Sequence, residues 1–122
     1  MAAPNIKSPA TITTVNGKTA TYNCTATLAA ALSNGASSGK VLKVTAIRAA
    51  NVDGTNSIDV DVSHYRGTTH TYLAYRVTVP AASTLVVLSR EEYLYVEEGD
   101  AIYAKASTTG KIDLLISYED IS

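Results

Sequence analysis

The chain contains no tryptophan and no phenylalanine, one cysteine, one methionine and three prolines in 122 residues. Each scarcity removes a class of protein. A lone Cys24 cannot build a disulfide framework, and it cannot supply the several thiolates of a structural zinc site. Charged residues make up only 17% and the net charge is −1, so the basic excess of a nucleic-acid binder is missing. No run approaches the roughly 18 apolar residues of a membrane-spanning helix. The opening Met1–Lys7 has no apolar stretch of the kind that leads a secretion signal. The expectation is a single domain, made in a reducing compartment, with neither nucleic acid nor membrane as partner.

What is present is hydrophobic, at 46%, and its aromatic content is entirely tyrosine, eight in all. Its dominant period is two. In Ser57–Tyr65, Ile58, Val60 and Val62 share one face, while Asp59, Asp61 and Ser63 share the other, as in a half-buried strand. Thr69–Val79 alternates as well, placing Tyr72, Ala74, Arg76 and Thr78 against Leu73, Tyr75, Val77 and Val79. Thr84–Leu88 is continuously apolar and suits a central strand; Ala101–Ala106 and Ile112–Tyr118 complete the set. Sixteen threonines fit a pleated surface.

Turn signals separate these runs at Asp53-Gly54, Arg66-Gly67, Glu98-Gly99-Asp100 and Thr109-Gly110. Asp53-Gly54 reads as a hairpin turn, and Asn16-Gly17 as a second between residues 11–15 and 18–22. Pro80 ends a strand. Residues 25–33 suit either a short helix or an irregular strand, and a strand is expected because two turns of helix need outside support. Eight or nine short strands with frequent turns read as an all-β antiparallel sandwich or barrel over residues 11–122; long strands near 41–52 and 70–80 favour the sandwich of two packed sheets, with a jelly roll as one form of it. Residues 1–10, with Pro4 and Pro9, read as an extended N-terminal arm.

No catalytic constellation is legible. Gly35–Lys40 lacks the four-residue spacing and the hydroxyl of a phosphate loop, and it leads into a strand. Asn51–Asp59 has apolar residues where a calcium loop needs acids. Asp59 and Asp61 point to one face and His64 to the other, against a shared metal site; His70 would meet His64 only across the Gly67 turn. G-x-S-x-G is absent. Glu91, Glu92, Glu97, Glu98 and Asp100 read as a solvated acidic rim. No enzyme activity, metal or cofactor is therefore expected. Cys24 lies in a glycosylation sequon but reads as a small buried hydrophobe, with a disulfide between copies as the alternative.

The tyrosines form two sequence clusters, Tyr65, Tyr72 and Tyr75 around one hairpin and Tyr93, Tyr95 and Tyr103 around Gly99. A tyrosine buries its ring and keeps its hydroxyl near water, which suits interfaces. The expected contact residues are Pro4 and Ile6 of the arm with Tyr65, Tyr72, Tyr75, Tyr93 and Tyr95.

Several segments taken in order carry a family likeness. They are Met-Ala-Ala-Pro-Asn-Ile6, Ser38-Gly-Lys-Val41, Ala50-Asn-Val-Asp-Gly-Thr-Asn56, Thr84–Leu88, Tyr95-Val-Glu-Glu-Gly-Asp100 with Ala106-Ser107, and Ser117-Tyr-Glu-Asp-Ile-Ser122. Together they resemble small virion structural proteins of tailed bacteriophages, cyanophage-type. The resemblance implies a non-enzymatic capsid decoration or cement protein, located in the virion after assembly in the host cytoplasm. It would stabilise the head between capsomers, with the major capsid protein and copies of itself (a dimer or trimer) as partners. A neck, tail or fibre adaptor is the alternative of the same class. A glycan-binding module using Tyr and Asp side chains is the alternative of another.

Overall fold

The structure is a computed structural model describing residues 12–122. The proposed arm, with Pro4 and Ile6, lies outside the described residues. Nine strands follow in order: β1 Val15–Asn23, β2 Ala29–Ser33, β3 Val41–Asn51, β4 Ile58–Arg66, β5 Thr69–Val79, β6 Thr84–Leu88, β7 Leu94–Val96, β8 Ala101–Ala106 and β9 Ile112–Ile121. Among the described residues the helical structure is one turn of 3₁₀ helix at Arg90–Glu92, and no helix is long and apolar enough to cross a membrane.

The strands form two antiparallel sheets. One has the order β1-β9-β3-β6, with β7 pairing the other end of β3; the second has the order β2-β8-β4-β5. β6 and β7 lie end to end along β3 and act as one broken strand. The chain crosses between sheets at every connection except β4–β5 and β6–β7. This strand order is that of a jelly roll, and the expected all-β sandwich is what forms.

The core explains the pattern. Alternation sends Ile58, Val60 and Val62 of β4 inward with Ile102, Ala104 and Ala106 of β8, against Val44, Ile47, Ala49, Ile112, Leu114 and Ile116 of the facing sheet. The alanines let the two backbones approach where branched residues would hold them apart. Tyr22 and Tyr118 also pack against this core, so two of the tyrosines are core-flanking.

Four local expectations change. Asn16-Gly17 makes no hairpin: β1 runs straight through it, with Asn16 opposite Asp120 and Gly17 opposite Glu119. Asp53-Gly54 is no hairpin turn, because β3 and β4 belong to different sheets. Asp53 instead closes the crossover by accepting the backbone N–H groups of Thr55 and Asn56. Thr84–Leu88 is an edge strand, and its apolar run leaves Val86 58% exposed. Residues 29–33 are strand as expected, whereas Thr25–Leu28 lie outside it.

Cys24 is fully buried at the end of β1. Its N–H donates to the Ile112 carbonyl and its carbonyl accepts from the Gly110 N–H.

Candidate interaction surface

The outer face of the β2-β8-β4-β5 sheet gathers side chains that the sequence keeps far apart. β4 presents Asp59, Asp61, Ser63 and Tyr65 outward. Register then sets Lys105 beside Asp61, Tyr103 and Tyr72 on either side of Ser63, and His70 beside Tyr65. The rings pack on one another: Tyr65 lies 4.5 Å from His70 and 4.8 Å from Tyr103, and His70 meets the Tyr103 ring edge-on at 5.0 Å. Ser63, between them, is fully buried although it belongs to the outer face.

Ser63 Oγ and His70 Nδ1 are hydrogen-bonded at 2.9 Å. A serine–histidine pair invites a catalytic reading, but the geometry opposes it. The serine is covered by rings, and among the described residues no carboxylate orients the histidine from behind. The bond fixes the imidazole as one tile of the aromatic layer.

Two β-bulges reshape the other half of the face. Val62 pairs Ala74 while Val60 pairs Val77, so Tyr75 and Arg76 together oppose Asp61; a second shift sets Ser63 opposite Tyr72. The alternation read from the sequence therefore breaks. Ala74 turns inward and is buried, and Tyr75, expected with Leu73 and Val77, stands 55% exposed. Its ring meets that of Tyr72 edge-on at 4.9 Å, and the Arg76 guanidinium lies 5.1 Å from its centroid. Arg76 takes a φ of 50°, a left-handed conformation that costs an L-residue about 1–2 kcal/mol. Its N–H donates to Asp61 Oδ1 at 2.7 Å, which holds the bulge. Beside it lies a cleft of about 450 Å³ whose lining includes Asp59, Asp61, Arg76 and Lys105.

Comparison with known proteins bears on the fold. No protein-family model matches the chain, and no curated protein matches it. One solved structure does: that of Bacillus endospore appendages, described as a novel family of disulfide-linked pili. It shares 14% identity over 88% of this chain and 85% of that one, with a TM-score of 0.51. The likeness is one of fold.

The facing sheet carries a separate surface. Tyr93 and Tyr95 meet edge-on at 5.8 Å, and Lys43 Nζ sits 4.4 Å over the Tyr93 ring. Register places exposed Val86 and Leu115 on either side of Arg48. The expected grouping of Tyr93, Tyr95 and Tyr103 thus divides. The first two belong here, and Tyr103 joins Tyr65 on the opposite sheet, because the Gly99 turn crosses between sheets.

The acidic turn is not uniformly solvated. Asp100 is buried and accepts one Arg66 Nε–H shared between its two oxygens and one bond from the terminal guanidinium nitrogen, plus the Glu97 N–H; His64 Nε2 lies 3.4 Å away. Arg66 also pairs with Glu97. Burial pushes the Asp100 carboxyl up, but the Arg66 bonds, the Glu97 N–H and nearby positive charge outweigh it, and the group stays below the ordinary aspartate value. His64 and His70 point to opposite faces. Among the described residues no three His, Cys, Asp or Glu side chains converge as metal ligands would.

Tyr65, Tyr72 and Tyr75 flank one hairpin, and the bulges bring Tyr75 onto the same face as the other two, where alternation alone would have set it opposite Tyr72. His70, Tyr103 and Arg76 belong with them and were missed. Tyr103 alternates with Ile102, which marks it as outward-facing, but the neighbour across β4 is set by topology.

Proposed function

We propose that the protein is a non-enzymatic structural subunit of a phage virion, a decoration or cement protein that binds the outer capsid between capsomers. The ordered sequence resemblance supports this, and so does the build of the face on β4, β5 and β8. The observation that carries its structural-subunit part is the Tyr72–Tyr75–Arg76 group, an exposed protein-contact group held out from the sandwich by a strained bulge. Tyrosine and arginine are the residues that dominate protein interfaces, and backbone strain concentrates where a surface has work to perform. A reconstruction of intact particles tests the reading. The chain found on the outer capsid in a copy number comparable to the capsid protein supports it; its absence from particles overturns it, and a single ring at the neck or tail replaces it with the adaptor reading.

The likeness to the pilus structure favours a second reading, in which copies of the chain build a filament. Electron microscopy of the purified protein decides that. Such a filament would not be joined through Cys24 in the folded chain, since that thiol is buried.

A further inference from the structure

We infer that the outer face of the β2-β8-β4-β5 sheet pairs with the same face of a second copy across a two-fold axis near Tyr75. The inference deepens the structural reading above, on which it rests, by naming the partner of that face.

The charge pattern carries the argument. Arg76 and Lys105 have no ion-pair partner among the described residues, although Asp59 and Asp61 line the same cleft. Asp59 uses one carboxylate oxygen to accept from the Thr78 hydroxyl and keeps the other available. A patch that holds unpaired charges of both signs is complementary to itself when rotated by a half turn, which is the requirement of an isologous interface. A partner of one net charge would satisfy only half of it.

The apolar part fits the same occupant. Tyr72 and Tyr75 are exposed yet fixed against each other, so little side-chain freedom is lost when they are covered. The residues beneath are already buried. β5 is an edge strand, but its two bulges and the left-handed Arg76 spoil its free edge as a template for another strand. The contact groups β5 offers therefore lie on its face rather than along its edge.

The test is the oligomeric state of the full chain by sedimentation and light scattering over a concentration series. The expected result is a dimer whose dissociation constant rises about tenfold or more with Tyr75→Ser and again with Arg76→Gly. Val86→Ser on the opposite sheet should leave it unchanged. Arg76→Gly also relieves the left-handed strain, so its dimer should weaken while its unfolding midpoint, measured on dilute monomer, does not fall. A chain that stays monomeric, or an oligomer indifferent to both β5 variants, overturns the inference. A monomer that still coats capsids would overturn the pairing and leave the virion reading standing; a face-paired dimer absent from particles would do the reverse.

Discussion

The Arg76 backbone N–H donates to the Asp61 carboxylate at 2.7 Å, and this bond holds a left-handed residue in the middle of β5. The same bulge turns Tyr75 from the core side to the surface. Strain, hydrogen bond and exposed ring are thus one device. Arg76→Gly removes the clash of a Cβ with its own carbonyl while keeping the N–H. It should raise the unfolding free energy by about 1 kcal/mol, less what glycine adds to the entropy of the unfolded chain. Urea denaturation measures this; a lowered midpoint would mean that the arginine side chain stabilises the bulge more than its backbone strains it.

Asp61 is the other half of the device. It is buried although it belongs to the outer face, beside the Tyr75–Arg76 bulge of β5. Asp61→Ala leaves the Arg76 N–H without its acceptor and should cost about 1–3 kcal/mol. Asp61→Asn keeps a carbonyl oxygen there and should cost less. The order of the two midpoints checks whether the carboxylate works as an acceptor for the bulge.

The tyrosines of this face should separate into two kinds. Tyr103 contacts both Tyr65 and His70 and helps to cover Ser63, so Tyr103→Ala should lower stability by two ring-pair contributions of roughly 0.5–1.5 kcal/mol each plus lost burial. Tyr75 has one ring neighbour and is mostly in water; Tyr75→Ala should fall near the exposed-site range of about 0.5 kcal/mol, or one ring pair beyond it. Thermal melts of the two variants side by side would show this. Equal losses would make Tyr75 a stability residue and weaken its assignment to contact.

The division between what could and could not be read from the sequence follows the same lines. Ile58, Val60 and Val62 alternate without interruption, and their strand, its buried face and the two-layer class were all legible. Pro80 and Gly67 mark ends that the backbone chemistry requires, and both hold. Asn16-Gly17 misled because its hairpin signal is local, whereas β1 is fixed by nine cross-strand pairs with β9 at the far end of the chain. The bulges at β5 leave no periodic trace: two residues opposite one is a property of the pair, and only one partner was in view. Tyr103 joins the face through strand order, which pairs β8 with β4 across a separation of some forty residues, whereas His70 reaches it through the local β4–β5 hairpin opposite Tyr65. Local preference weighs little against such long-range pairing.

Acid should unfold the protein through two buried carboxylates. Asp100 is held by Arg66 and Asp120 by Lys40 and Lys18, at 3.0 and 3.1 Å. Burial pushes both groups up, but these partners outweigh it and both sit below the ordinary value. A depressed folded value means that the stabilisation is fully present above the unfolded value, near 3.9. As the pH falls further the unfolded chain takes up protons first, stability declines, and the contribution is gone below the folded values. Asp100→Asn and Asp120→Asn should each be less stable at neutral pH and show a flatter decline below about pH 4. Denaturation midpoints across that range check it; an unaltered acid limb in both would place the acid sensitivity elsewhere.

Cys24 should be chemically silent while the chain is folded. Burial pushes its thiol up to about 12, with the Asp113 charge adding to the effect. The thiolate is the reactive form, so at mildly alkaline pH the folded protein offers almost none, and the surrounding strands exclude the reagent. Iodoacetamide followed by mass spectrometry should find Cys24 unmodified under native conditions and labelled quickly in denaturant. In the native protein the labelling rate should track the opening of the β8–β9 turn, whose Gly110 N–H closes on the Cys24 carbonyl. Gly110 has a φ of 84°, so Gly110→Ala strains that turn and should speed labelling more than it lowers the global midpoint. A disulfide between copies requires the same opening, and the assembled protein should run as a monomer on a non-reducing denaturing gel. Rapid native labelling, or a covalent dimer on that gel, would show that Cys24 reaches the surface and would return a disulfide to the account of how copies join.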